Sequence, residues 1–532
     1  MNIGRGIEVR DIESRVLKFA WEQNPDLALD AGYLPPRLWE DLAVDRKQRA
    51  CEEAESLKDI IVRTNLSLVE RLAAQYHVTS AYFWASTPAV CMLNHMTGPV
   101  ARLSWAGSSW PLAADPSCDL YIERLEQFTS YCKALVRCIR EEPETLEYAS
   151  RAVLSAFMAQ VDAFIDAEQA GAGAVFLPLR NARIRGHQCK TPRPGLLADI
   201  LTSVLALRQA AESAVKSAQS SSPLLHTREG ADRYSAAIYC GTSAPMTPDD
   251  IERLGRDILS RSMRRFRKLL KGGGVAMECP QTGEQLLEEF RTAYARLTGA
   301  LPSISPVQPV MRCQIVPMPE AHAVAGPPAY YGPSSFRNAR EGSLYVNAAA
   351  PIKTRSWEIL PLTMHEGMPG HHLQLGTLDE NEGLSDLVRL LSVNAFTEGW
   401  AVYAETLASA MDLEISPAEE FGLLAYQRWR AARLVVDVGL HVRGWSIAKA
   451  TRFMSGQTAQ DVGLARREVV RYLAWPGQAL GYSVGAHVIS GWVKGRREAG
   501  VSLRETHKEL LGLGSVTLSG LMPSSGDYGG LL

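Results

Sequence analysis

Apolar positions along most of the chain recur at helical spacing. Leu17, Ala20 and Trp21 do so near the start, and Leu57, Ile60 and Ile61 repeat the pattern with charges between them. Residues 10–72 therefore read as helices, broken at Pro35-Pro36. Residues 79–117, rich in Ser, Thr, Trp and Pro, read as loops and short helices. Helical patterns resume over 119–170, 195–220, 247–272 and 282–298. The third of these opens Thr247-Pro248-Asp249-Asp250, a capping hydroxyl followed by proline at the first helical position. Over 300–350 the period changes. Residues 310–316 and 343–347 read as short strands, with a Gly/Pro-rich loop over 326–333 between them. From 357 to 515 the chain is helical again, including one helix over 384–411 with Leu384, Leu387, Leu391 and Ala395 along its apolar stripe.

This pattern predicts a mainly α fold with a small β element near 310–347. The stretch Ser220-Ser-Ser-Pro223 suggests a boundary between a helical N-terminal lobe, 1–222, and a catalytic lobe, 223–532, within one continuous fold. No repeat of solenoid period is present.

Composition narrows the function classes. A formal net charge of -2 gives no global field for nucleic acid or an anionic membrane. The local basic run Arg261, Arg264, Arg265, Arg267, Lys268 and Lys271 has helical spacing and reads as a solvated face. No apolar run is long enough to span a membrane. The first residues show neither an apolar h-region nor a cleavage site, so no signal peptide is expected. The nine cysteines are scattered singly, without a Cys-x-x-Cys pair, which suits a reduced, cytoplasmic setting and argues against a thiolate metal cluster. Oligomeric state is not indicated.

Three of the eleven histidines fall in His365-Glu366-Gly-Met-Pro-Gly-His371-His372. A zinc helix of the His-Glu-x-x-His type places two imidazoles one turn apart, with the intervening Glu activating water. Here position 369 is proline, and six residues of ideal helix would separate His365 from His371 by roughly 9 Å. Pro369 lacks an N–H and clashes with the carbonyl four residues earlier. Gly370 then permits unusual dihedrals. A bulge would return His371 to an i+4 relation with His365. His371 is thus the first choice as second ligand and His372 the alternative. The third ligand is expected to be Glu398, a carboxylate on the apolar stripe of the 384–411 helix, where burial is costly unless the group is paired or metal-bound. Glu405 lies two turns further on the same face, as a ligand or a hydrogen-bonded structural carboxylate.

Several segments in order resemble a bacterial family known as domain of unknown function 885, whose hallmark is His-Glu-x-x-Pro-Gly-His-His. They are Tyr331-Gly-Pro-Ser-Ser-Phe-Arg-Asn-Ala-Arg-Glu-Gly342, Tyr345-Val-Asn347, Met364 to Gln374, Thr397-Glu-Gly-Trp-Ala-Val-Tyr-Ala-Glu405, Arg430 to Asp437, and Arg471 to Tyr482. The resemblance is strong from about residue 325 onward and weak before it. It implies a large helical zincin-like metallopeptidase fold, similar in plan to angiotensin-converting enzyme, with a zinc-binding Glu in a helix after the metal helix, as at Glu398. The loop Arg337-Asn-Ala-Arg340 departs from the family pattern, which puts substrate choice in doubt. Many relatives are exported lipoproteins, whereas no lipoprotein signal is expected here.

The resulting expectation is a zinc hydrolase that cleaves a peptide or amide bond in a short peptide or small amide. Zn2+ would be held by His365, His371 and Glu398, with Glu366 as general base. Tyr482, Tyr472, His441 and Arg471 are the candidates to stabilise the oxyanion or anchor a carboxylate. Two other readings stand beside it. One is a zinc-dependent tailoring or condensing enzyme acting on a non-peptide amide or biosynthetic intermediate. The other is a metal- or peptide-binding protein without catalysis, which an intact Glu366 argues against.

Overall fold

A computed structural model of the chain describes residues 3–31, 33–43, 45–110, 115–184, 186, 188–271, 279–319, 326–336, 339–390 and 393–522. Its described residues form 21 α-helices and one small three-stranded sheet, the mainly α class expected. None of these helices is long and apolar enough to cross a membrane. The chain divides into two compact units. The first comprises Met1–Cys240, Gly439–Ala450 and Arg466–Pro476; the second comprises Gly241–Val438, Thr451–Ala465 and Gly477–Leu532.

The first unit is built on helices Asp115–Glu141, Arg151–Gln169 and Leu196–Ala214. Leu125, Phe128, Cys132 and Leu135 follow the helical period and are buried with Phe157, Val204 and Leu207. Ion pairs lie within this core: Arg102 meets Asp26 and Glu40, and Arg124 meets Asp26. Arg102, Arg124 and Glu40, all buried, thus each have a partner of opposite sign, without which their burial would be strongly unfavourable.

The second unit carries the sheet. Strand β1 (Cys313–Pro317) pairs in parallel with β3 (Gly342–Val346), which pairs antiparallel with β2 (Ala329–Gly332). The core packs Leu344, Val346 and Ala329 of the sheet against Phe290, Trp357, Leu362 and Phe421 of the helices. Helix Pro248–Lys271 begins as its sequence suggests. The Asp250 N–H donates to Thr247 Oγ1, and the Thr247 N–H donates to Asp250 Oδ2.

Two expectations are corrected. The Gly/Pro-rich segment 326–333 is not all loop, since β2 lies inside it. Its tyrosines, flanked by Pro328 and Pro333, pair across to β3, and the rings of Tyr330 and Tyr345 stack at 4.8 Å. The 384–411 helix is not continuous. Helices Asp386–Arg389 and Asn394–Ala404 are separate, and a 3₁₀ turn, Glu405–Ala408, follows the second. Leu391, one of the four stripe residues, lies outside the described residues, as do Arg337 and Asn338 of the loop noted above. At the break Val393 is extended, and its N–H donates to Ser515 Oγ, far away in sequence, instead of to a helix carbonyl.

Candidate metal centre

Helix Ser356–Glu366 stops one residue after His365, and helix His371–Glu380 begins at His371. The expected bulge is therefore a complete interruption. Pro369 and Gly370 explain it. Proline cannot donate to the His365 carbonyl, and the chain at Gly370 comes so close to that carbonyl that a Cβ there would lie 2.0 Å from its oxygen. The backbone groups of the turn find other partners. The Gly367 N–H donates to Thr363 O, the His372 N–H to Gly367 O, and Trp400 Nε1 to Pro369 O at 2.9 Å. Trp400, fully buried on helix Asn394–Ala404, thereby ties the turn to the helix that carries Glu398.

The doubling-back brings the rings of His365 and His371 to 4.7 Å between centroids. His365 Nε2 lies 3.2 Å from Glu398 Oε2, and His371 Nε2 lies 3.5 Å from the same oxygen. One ligand atom from each of the three residues lies within 4.8 Å of the others. A tetrahedral zinc with bonds of 2.0–2.1 Å sets its ligand atoms about 3.3–3.4 Å apart. The two measured edges agree with that, and two imidazoles with one carboxylate are a donor set suited to zinc. His365, His371 and Glu398 therefore fit a metal ion by spacing and by chemistry.

The charged groups of the cluster stabilise one another. Burial would raise the Glu398 carboxyl, but His365 and His371 hold it well below the usual carboxylate range. Burial and Arg430 both work against charge on His365, yet hydrogen bonds with Glu398 and Glu405 outweigh them and raise its pKa to about 9. Glu366 follows His365 directly and adds its own negative charge beside that imidazole. One Glu366 oxygen, Oε2, accepts the Tyr331 N–H of strand β2 at 2.9 Å.

His372 stands outside this group. Its Nδ1 faces the Tyr331 hydroxyl at 2.8 Å, and burial lowers its pKa to about 4. Of the four residues considered for oxyanion or carboxylate binding, Tyr482 is the one in the second unit with the metal group. Its ring lies parallel to that of His365 at 6.4 Å, and the Arg433 guanidinium stacks 4.6 Å over its ring centroid. His441, Arg471 and Tyr472 belong to the first unit. There His441 Nδ1 faces Ser222 Oγ at 2.6 Å and its Nε2 faces the Tyr472 carbonyl at 3.1 Å; burial lowers its pKa to about 4. Arg471 and the Tyr472 hydroxyl both engage Glu468.

Two neighbours of the site carried no assigned role in the sequence. Tyr331 contacts both Glu366 and His372. Arg430 donates through Nη1 to Glu405 Oε2 at 2.8 Å. The pointer to Arg430 in the sequence is its place at the start of one of the segments that resemble the family, Arg430 to Asp437. Tyr331 likewise opens a segment that resembles the family, Tyr331 to Gly342, without a role being assigned to it.

A family model described as a bacterial protein of unknown function (DUF885) matches residues 25–523, and the chain belongs to that family. Among curated proteins none matches the sequence. A crystal structure from Colwellia psychrerythraea, of a protein designated a lipoprotein, has the same fold. It has a TM-score of 0.83 at 22% identity and covers 97% of this chain and 98% of that one. A protein from Shewanella oneidensis, designated a lipoprotein of unknown function, is also similar, with a TM-score of 0.64 at 14% identity over 96% of this chain and 98% of that one.

Proposed function

We propose that this protein is a zinc-dependent hydrolase that cleaves a peptide or amide bond in a short peptide or small amide. The observation that carries the reading is the convergence of His365, His371 and Glu398, with an unligated glutamate, Glu366, next to the first of them. Zinc in that set would supply Lewis acidity, lowering the pKa of water and polarising a carbonyl. Glu366 is the general base. With Oε2 held by the Tyr331 N–H, Oε1 takes the proton of the attacking water and returns it to the departing amine as the C–N bond breaks. Tyr482, alongside His365, is the candidate donor to the developing oxyanion. The arrangement supports a zincin-like reading of the second unit, comparable in plan to angiotensin-converting enzyme.

The nine cysteines, scattered singly along the sequence without a Cys-x-x-Cys pair, support a reducing cytoplasmic compartment. The two structural relatives designated lipoproteins favour an envelope location instead, and cell fractionation decides between the two. For the activity, elemental analysis should find about one zinc per chain, lost in His365→Ala. A mixed peptide library, read by mass spectrometry with and without chelator, then supplies a substrate. Glu366→Gln should keep its zinc and lose at least roughly 10²-fold in turnover. Zinc lost with Glu366→Gln would make Glu366 a ligand. Zinc kept with turnover unchanged would refute the hydrolytic mechanism.

A further inference from the structure

Beside the three candidate ligands the second unit holds a buried carboxylate that touches the site without joining the set. Glu405 Oε1 lies 2.8 Å from His365 Nδ1, while its Oε2 accepts from Arg430 Nη1 at 2.8 Å. The side chains of His365, Glu405 and Arg430 are 5%, 4% and 6% exposed. A carboxylate this deep would be strongly unfavourable alone, and Arg430 is its counter-charge.

The pair is braced in turn. The Arg430 guanidinium lies 5.1 Å over the ring of Tyr426, one turn earlier on helix Pro417–His441. The Tyr426 hydroxyl donates to Glu358 Oε1 at 3.2 Å. Glu358 and His365 are seven residues apart, two turns along one side of helix Ser356–Glu366. Helix Pro417–His441 therefore holds that helix at two points, directly at Glu358 and through Glu405 at His365. The second point fixes an imidazole.

The distances also favour one tautomer of a metal-bound His365. His365 Nδ1 has Arg430 Nη2 at 3.3 Å and Glu405 Oε1 at 2.8 Å. The nearer group is an acceptor, so Nδ1 carries the hydrogen. With a cation bound in the cluster, Nε2, 3.2 Å from Glu398, would then turn its lone pair toward that cation. A ring turned over would present the protonated nitrogen to the cluster instead.

We infer that Glu405 and Arg430 are positioning residues for metal binding: Glu405 accepts the His365 Nδ1–H and commits Nε2 to the cation, and Arg430 fixes Glu405 in that role. The inference rests on the metal reading above and adds to it two residues that touch neither ion nor substrate. Such outer partners are typically worth about 10–100-fold in metal affinity. Lysine cannot replace Arg430, because a single ammonium lacks the planar fork that spans Glu405 and faces the imidazole.

The test uses the full chain with zinc and cobalt(II) as probes. Zinc Kd is measured by chelator competition for wild type, Glu405→Gln and Arg430→Lys, the visible spectrum is recorded for each cobalt-loaded protein, and the melting temperature is measured for each metal-free one. Both variants should bind zinc about 10–100-fold more weakly, with shifted cobalt bands. Arg430→Lys should melt close to wild type when metal-free, and it carries the test if Glu405→Gln does not fold. Unchanged zinc Kd and superimposable cobalt spectra in the folded variants would overturn the inference and leave Glu405 a packing carboxylate. A wild type that takes up no zinc would instead refute the proposed function itself, and this inference with it.

Discussion

Replacing Gly370 by alanine tests how the two histidines meet. A Cβ at this position would stand 2.0 Å from the His365 carbonyl oxygen, 2.3 Å from the Met364 carbonyl oxygen and 2.6 Å from the His365 carbonyl carbon. All three are backbone atoms at the end of helix Ser356–Glu366, so no side chain can swing aside. Real Cβ contacts essentially never fall under 3.0 Å, so the turn must open by at least 1.0 Å, the difference from 2.0 Å. Metal–ligand distances tolerate only about ±0.2 Å. A displacement about five times larger would carry His371 away from His365 and Glu398. Overpacking of this kind costs about 1–3 kcal/mol of stability. Zinc affinity should fall by more than the roughly 100-fold that outer partners alone are worth. Chelator competition for zinc and thermal unfolding of the metal-free protein measure both effects. Gly299→Ala is the control: a Cβ there meets nothing within 4 Å, and helix Gly283–Ala300 should be unchanged or stabilised by up to about 1 kcal/mol. Wild-type zinc affinity and stability in Gly370→Ala would refute the close approach as the device that assembles the site.

Three further outcomes are expected. His371→Ala should abolish stoichiometric zinc while His372→Ala retains it, because His372 faces Tyr331; elemental analysis showing the reverse would exchange their roles. Gly485→Ala should destabilise by about 1–3 kcal/mol or more, since a Cβ there would lie 2.1 Å from the Ala395 carbonyl oxygen and 2.6 Å from Gly399 Cα. Gly495→Ala on the same helix, with nothing within 4 Å, should not, and equal melting temperatures for the two would contradict this packing. The third concerns acid. Burial holds His507 near pKa 4, below its unfolded value of 6.5, with Nε2 facing the Tyr403 hydroxyl and Nδ1 the Ile304 carbonyl. Between those values the unfolded state binds more protons, so stability should fall as pH drops from 6.5 toward 4, by on the order of 3 kcal/mol for this residue. The melting temperature of His507→Gln should vary less steeply across that window; a slope equal to wild type would assign the acid sensitivity elsewhere.

Much of the architecture was legible in one dimension. The 3.6-residue period marked helices such as Pro248–Lys271 and Gly283–Ala300, because burial of one face leaves its period in the sequence, and the change of character over 300–350 marked β1 and β3. The residues of the candidate site were legible too. Three histidines beside a glutamate, with a carboxylate on an apolar stripe downstream, are unfavourable to bury without a purpose. Even the interruption of the metal helix could be read, since Pro369 removes a backbone donor whatever surrounds it.

What the tertiary structure alone decided is where separate segments meet. Strand β2 exists because β3 offers it partners, and its tyrosine-rich stretch between prolines reads locally as loop. The helix over 384–411 breaks where Ser515, over a hundred residues away in sequence, takes the Val393 N–H. His371, and not His372, joins His365 because Gly370 can lie against the His365 carbonyl while Trp400 holds the Pro369 carbonyl from a third helix. Glu405 and Glu398 look alike along their stripe. They differ because Arg430, on helix Pro417–His441, claims one of them. Periodicity records which face of a helix is buried; the partner that buries it, and the register in which the two meet, depend on contacts between residues far apart in the chain.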